Sequence, residues 1–250
     1  MGRHETDRGR LYGAAVQSQM LTATAPGGPV TAPGAADNAR DRIRDAAIES
    51  FAYEGFDVGM RAIAARAGVT AGLITHYYRS KARLRQECDE YMLQYSASRL
   101  PSSLEKTSVE ETLTGDLELL TQAVHYTIRS LREGGLYCDT FLKFTLENTR
   151  ERIDAGIAAG TLQPSDDEDA RARVVLRHCL GAALIDFALD APRSPEETVT
   201  FLREFWGHLM EPMLQLTNGR SFRTVSGAGG FLQRAGFCLP ELIRTTRPTA

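Results

Sequence analysis

Residues 60–79 read MRAIAARAGVTAGLITHYYR, and the reading of this stretch decides the fold. Ala64, Gly68 and Ile74 stand at its fifth, ninth and fifteenth positions, the spacing of a twenty-residue helix-turn-helix. Each position has a steric reason. Two helices that cross closely need a small residue at the crossing, and Ala64 supplies it. The tight turn needs a residue that tolerates positive φ, and Gly68 supplies that. Ile63 and Ile74 plug the crossing from either side. Thr70 can cap the second helix of the pair through its side-chain oxygen, with Val69 before it as an apolar staple. The pattern predicts helices from about Met60 to Ala67 and from about Ala71 to Tyr78. An αα-hairpin inside an ordinary helical domain would show the same spacing, so the flanking sequence has to decide.

Upstream, Ile43, Ala47 and Phe51 recur every four residues and give a helix from about Ala39 to Tyr53, capped by Asp37 or Asn38 and ended by Gly55. Downstream, Ser80 can cap a long fourth helix from Lys81 to about Leu100, stopped by Pro101. Residues 39–85 hold nine basic and five acidic side chains, a net of +4. The chain as a whole, 250 residues, carries −3, so the remainder is acidic at −7. A basic segment on an acidic body can approach DNA with one end only. Arg40, Arg42 and Arg44 are either long-range anchors of that end or one solvated helix face.

The rest of the chain is helical in period, with further helices near 108–133, 136–159, 166–190 and 194–216, and no two-residue alternation. The fold class is therefore all-α: an N-terminal three-helix helix-turn-helix DNA-binding domain followed by a helical ligand-binding and dimerisation domain. Residues 1–37 are rich in Gly, Ala, Pro and Thr and are expected to form a disordered arm. The DNA-binding domain is expected over 38–85, the effector-binding and dimerisation domain over 86–218, and an irregular tail over 219–250. Cys88, Cys138, Cys179 and Cys238 are spaced 50, 41 and 59 residues apart, which fits no metal motif; they read as small core residues in a reducing cytoplasm. No apolar run approaches the ~20 residues of a membrane span. No nucleophile motif, phosphate loop or His-x3-His pair is present, so an enzyme is not expected, nor a cofactor or metal.

With these elements in place, residues 39 to about 85 resemble the TetR family of one-component bacterial transcriptional regulators. The resemblance rests on Ile43-x2-Ala46-Ala47-x3-Phe51, Gly55-Phe56, Arg61-x-Ile63-Ala64-x2-Ala67-Gly68-Val69-Thr70 and Gly72-x-Ile74-x2-Tyr77-Tyr78-x-Ser80-Lys81-x2-Leu84. Beyond these residues it extends to length and helix count only. It implies a third helix lying in the major groove, with Ala71, Gly72 and Thr75 facing bases. It also implies phosphate contacts from Thr70, His76, Tyr77 and Lys81, with Arg61 as a further candidate, while Tyr78 belongs to the core. Two departures stand out. Gly59 replaces the hydroxyl residue that usually caps the second helix. Leu73 occupies a position that is often polar, where it either meets a thymine methyl or packs against a neighbouring helix.

The resemblance further implies a homodimer on double-stranded operator DNA, without a membrane partner, and a small-molecule effector. The last two helices would pair across a two-fold axis, with Ala182, Phe205, Trp206 and Leu209 at the interface; the alternative is that they complete one protomer's core. The effector cavity would lie in the body formed by residues 81–216. Aromatic and polar candidates to line it are Tyr91, Tyr95, His125, Tyr126, Tyr137, Phe141, Phe144, Asn148 and His178. Asp186, inside an apolar run, is either a partner for a cation or a surface residue. The expected function is repression relieved by the effector; the alternative is a regulator that is constitutive or controlled by a protein partner.

Overall fold

The computed structural model describes residues 39–99 and 106–219, and among them only helices and their connections are found. The arm expected over 1–37, the residues Asp37 and Asn38 expected to cap the first helix, and the tail beyond Gly219 lie outside these residues. In chain order the helices are α1 (Ala39–Tyr53), α2 (Met60–Ala67), α3 (Ala71–Tyr78), α4 (Lys81–Ser98), α5 (Lys106–Thr112), α6 (Leu117–Glu133), α7 (Leu136–Ala158), α8 (Glu168–Leu189), α9 (Pro195–Glu204) and α10 (Glu211–Leu216). A π-helical turn, Phe205–Met210, joins α9 to α10.

The boundaries differ from the sequence expectation by a residue or two at the ends of α7 and α8, and elsewhere as follows. The helix expected over 108–133 is two helices, broken after Thr112 at Gly115, whose φ of 93° no helix accommodates. The fourth helix stops at Ser98 rather than Leu100. The helix expected over 194–216 changes register before Pro212, which has no N–H to offer the carbonyl four residues back and whose ring crowds it. The chain accommodates this by widening: the N–H of Glu211 bonds the carbonyl of Trp206, five residues back.

The described residues form two compact units. The first comprises residues 39–99 with Glu118–Ser130 and Gly135–Thr140; the second comprises the remainder. In the first unit Ile43, Ala47, Phe51, Ile63, Ala64, Ile74 and Leu84 are buried and make the core that packs α1, α2, α3 and α4 together. In the second, Ile153, Val175, Cys179, Trp206, Met210 and Leu214 are buried. The second unit also buries a cation. Arg171, 0% exposed, donates from Nε to Thr217 Oγ1 (3.2 Å), from Nη1 to the Gln163 carbonyl (3.0 Å) and from Nη2 to the Leu214 carbonyl (3.2 Å), with Glu168 3.6 Å away. One guanidinium thus ties the start of α8 to the end of α10 and to the loop before α8.

Cys88, Cys138 and Cys179 are free thiols and buried. Burial pushes the Cys179 thiol up to about 11 and the Cys88 thiol well above its ordinary range. Burial keeps the reagent from all three, and at Cys88 and Cys179 it also disfavours the thiolate, which is the reactive form; in the native protein at pH 8 the three should therefore resist alkylation by iodoacetamide and be labelled at a rate set by unfolding. Peptide mapping by mass spectrometry checks this; rapid native labelling of Cys88 would contradict it.

Candidate nucleic-acid interface

The helix-turn-helix is built by the local rules that its sequence obeys. Gly59 caps α2 with backbone only and no side-chain bond. Gly68 closes α2 in the left-handed region, φ 66°, and its N–H reaches the carbonyls of Ala64 and Ala65. Thr70 then opens α3, its Oγ1 accepting from the N–H of Leu73 at 3.3 Å. Ser80 opens α4 in the same way, accepting from the N–H of Arg83 at 3.2 Å.

These caps fix which side chains of α3 point where. Ile74 is fully buried and Tyr78 nearly so, while Gly72, Thr75, His76 and Tyr77 are exposed. Tyr78 is a core residue with a polar handle: its hydroxyl donates to the Arg40 carbonyl (2.8 Å) and toward Glu87 Oε1 (3.2 Å), and burial pushes its phenol up. Leu73 is half-buried. Thr75 donates its hydroxyl to the carbonyl of Ala71 at 3.2 Å, a bond that an incoming acceptor can replace. A Cβ added at Gly72 would meet only Thr70 Oγ1, at 3.9 Å, so the start of α3 presents nearly bare backbone.

The basic residues of this unit sort into two kinds. Arg40 is held by both carboxylate oxygens of Glu87. Arg44 pairs with Asp41 and Asp45 and stacks on the Tyr91 ring at 4.2 Å. Arg66 is held by Glu54, Glu49 and Ser50, and Arg85 by Asp89. Of the two roles open to Arg40 and Arg44, the structure favours neither: both serve internal ion pairs. Among the described residues Arg61, Arg79, Lys81 and Arg83 make no ion pair, and apart from the half-buried Lys81 all are exposed. Arg79 and Arg83 flank Lys81 and were not singled out from the sequence; the signal available was their nearness to it. Arg79 is also the only described non-glycine residue at positive φ, 62°, at the end of α3.

The expected cavity residues fall into different settings. Tyr126 and Tyr137 are fully buried structural groups in the first unit, their rings 5.3 Å apart. The Tyr126 hydroxyl donates to Asp89 Oδ1 (2.5 Å); the Tyr137 hydroxyl lies 2.7 Å from Thr127 Oγ1 and 3.3 Å from Ser96 Oγ. Burial pushes the Tyr137 phenol up to about 12, and it pushes the Asp89 carboxyl up against the opposing pull of Arg85 and Tyr126. Tyr91 lies under Arg44; the Tyr95 hydroxyl accepts from Arg99 at 3.3 Å; His125 packs on the Tyr53 ring at 4.9 Å. In the second unit Phe141, Phe144 and Asn148 are half-buried, Asn148 accepting from Arg152 at 2.8 Å. His178 is exposed on α8, not inward as expected, because it shares the outward stripe of Val174, Ile185 and Leu189. Asp186 is exposed as well.

The expected interface residues also divide. Trp206 is buried within its own unit, while Phe205, Leu209 and Ala182 are half-buried. The apolar surface left open on α8 is Val174 at 41%, Ile185 at 62% and Leu189 at 81% exposure. Among the described residues no cluster of metal ligands is found, and no helix is long and apolar enough to cross a membrane.

A capped helix pair locked by Ala64, Gly68 and Ile74, with a second helix whose outer face is open and flanked by unpaired cations, defines a helix-turn-helix DNA-binding protein. Comparison with known proteins is specific about which kind. Residues 43–88 match the family model described as bacterial regulatory proteins, tetR family, and residues 118–219 match the tetracyclin repressor-like C-terminal domain. The chain is 33% identical over 180 residues to the HTH-type transcriptional regulatory protein RaaS of Mycobacterium tuberculosis (strain ATCC 25618 / H37Rv), an alignment that covers 71% of this chain and 84% of that protein. Solved structures similar to it include a TetR-family transcriptional regulator from Rhodococcus sp. (TM-score 0.48, 16% identity, 69% of this chain and 98% of that one). Another is a transcriptional regulator from Rhodococcus sp. RHA1 (TM-score 0.45, 20% identity, 71% and 99%). The chain belongs to the TetR family of transcriptional regulators: it is a DNA-binding regulator and not an enzyme.

Proposed function

We propose that the protein is a cytoplasmic homodimeric repressor that binds a palindromic operator and is released by a small molecule held in the helical body. The exposed stripe on α8 carries the dimeric part of this reading. Val174, Ile185 and Leu189 recur at helical spacing with the small residues Gly181 and Ala182 between them, so one face offers apolar contact and close approach to a second copy. A two-fold protein matches a two-fold operator. The effector part rests on aromatic and polar side chains that keep some exposure: Phe141, Phe144 and Asn148 are the candidates within the second unit, and Tyr91, Tyr95 and His125 those within the first.

The DNA contacts follow from position. Thr75 faces outward from the middle of α3, within reach of a base edge. Lys81 starts α4, beside Arg79 and Arg83, where phosphate is in reach. Phosphate contacts carry charge without sequence information, and base contacts carry the reverse. Lys81→Ala should therefore weaken binding to operator and to random duplex alike. It should also reduce the salt slope by about 0.9 for each phosphate no longer neutralised, about twice that for a symmetric dimer. Thr75→Val should leave the slope unchanged and cost on the order of 1 kcal/mol per half-site at a single base position. Binding isotherms at several salt concentrations on two sequences test both. A change of base preference in the lysine variant and of salt slope in the threonine variant would place α3 outside the groove.

A further inference from the structure

The contact of α1 with α6 is built around one arginine. α1 has no basic residue in its last turn, so its terminal carbonyls lack the usual local cation. Arg129, more than seventy positions later on α6, supplies it: Nε donates to the carbonyl of Ala52 and Nη2 to that of Tyr53, both at 3.3 Å. Gly55 is fitted to this guanidinium in two ways. Its φ of 106° disfavours any side chain, and a Cβ there would stand 2.9 Å from Arg129 Nη1. Two ring contacts flank the pair on the same stretch of α6. His125 meets Tyr53 at 4.9 Å, and Tyr126 meets Phe56 at 5.3 Å, with the Arg85 guanidinium over the Phe56 ring at 3.1 Å. Ring contacts tolerate sliding and tilt. Two N–H···O bonds from one planar fork do not, because each has a directional acceptor on a rigid helix end.

We propose that Arg129 is the positioning residue that sets the angle at which the helix-turn-helix is held on α6, and that it thereby sets the half-site spacing the dimer accepts. The inference rests on the dimeric reading above. It predicts that removing the fork leaves the DNA-binding surface intact but lets it tilt. Each recognition helix then still binds its half-site, while the penalty for a wrongly spaced pair of half-sites falls.

The test uses the full chain and an operator selected from a random duplex pool, together with two versions carrying one base pair more or less between the half-sites and a duplex with one half-site. One base pair turns the second half-site by about 35° and moves it about 3.4 Å. The wild type should lose about a hundredfold on the respaced duplexes. Arg129→Gln should lose about tenfold on the selected operator, because the angle that the fork presets must then be imposed on binding, and bind the respaced duplexes within about threefold of it. Arg129→Lys, which keeps the charge but not the fork, should fall between. Half-site affinity, salt slope and helical circular dichroism should match the wild type in both variants. The inference is overturned if either variant keeps full spacing discrimination, or if half-site affinity falls in step with operator affinity, since that marks a general loss of fold. A wild type indifferent to spacing overturns the dimeric reading first and this inference with it, and the wild-type measurement alone distinguishes the two failures.

Discussion

Replacing Arg171 by leucine is expected to lower the unfolding free energy by about 3–5 kcal/mol, the range found when one partner of a buried charged network is removed. The expectation rests on what the guanidinium leaves behind. The Gln163 carbonyl loses its donor, the Leu214 carbonyl keeps only the Thr217 hydroxyl at 3.1 Å, Thr217 Oγ1 loses the donor it accepts from, and Glu168, 3.6 Å away and little exposed, loses its counter-charge. Each abandoned buried acceptor costs about 1–3 kcal/mol, while the leucine regains part of this through apolar contact. Arg171→Lys should recover a minority of the loss, because an ammonium cannot serve three divergent acceptors at once. Urea titration followed by circular dichroism gives the number; a loss under about 1 kcal/mol would mean that the network is not a structural tie.

The largest functional effect is expected at Ile185. It is 62% exposed on α8, so Ile185→Asp should leave the protomer's fold and its helical circular dichroism unchanged. In a dimer that closes over the α8 stripe the same change buries two uncompensated carboxylates about the two-fold axis, which costs several kcal/mol. Sedimentation should then show a monomer. Operator affinity should fall by about 10²-fold or more, because two linked half-site contacts become independent ones. Leu189→Asp, at the most exposed apolar position, provides the repeat. Phe205 is the less decisive place for this test: it is half-buried, with its ring 6.3 Å from the buried Trp206, so a charge there disturbs the protomer as well. A dimeric Ile185→Asp protein with undiminished operator binding would place the interface elsewhere.

The sequence by itself determined the helix-turn-helix, because every feature of it is local. A helix cap is decided within three or four residues, a left-handed turn by one glycine, and a crossing by one small side chain. Thr70, Ser80, Gly68, Ala64 and Ile74 stand in the structure as their spacing requires. Helix existence was legible for the same reason. Pro212 and Gly115 were visible in the sequence too, yet whether a proline kinks, ends or widens a helix depends on what packs on either side. The fates of the charged and aromatic residues were decided by tertiary structure alone. Arg171 lies in the charged first turns of its helix, among Glu168, Asp169 and Arg173, and nothing within a turn of it foretells acceptors at Leu214 and Thr217. Tyr126 and Tyr137 look like pocket residues until Asp89, Ser96 and Thr127 are brought to their hydroxyls. Arg129 reads as one more surface cation until α1 delivers two carbonyls to it. An arginine or tyrosine carries the same chemistry in solvent, in a core or in a site, and which of these it enters depends on partners that the fold alone brings within hydrogen-bond distance.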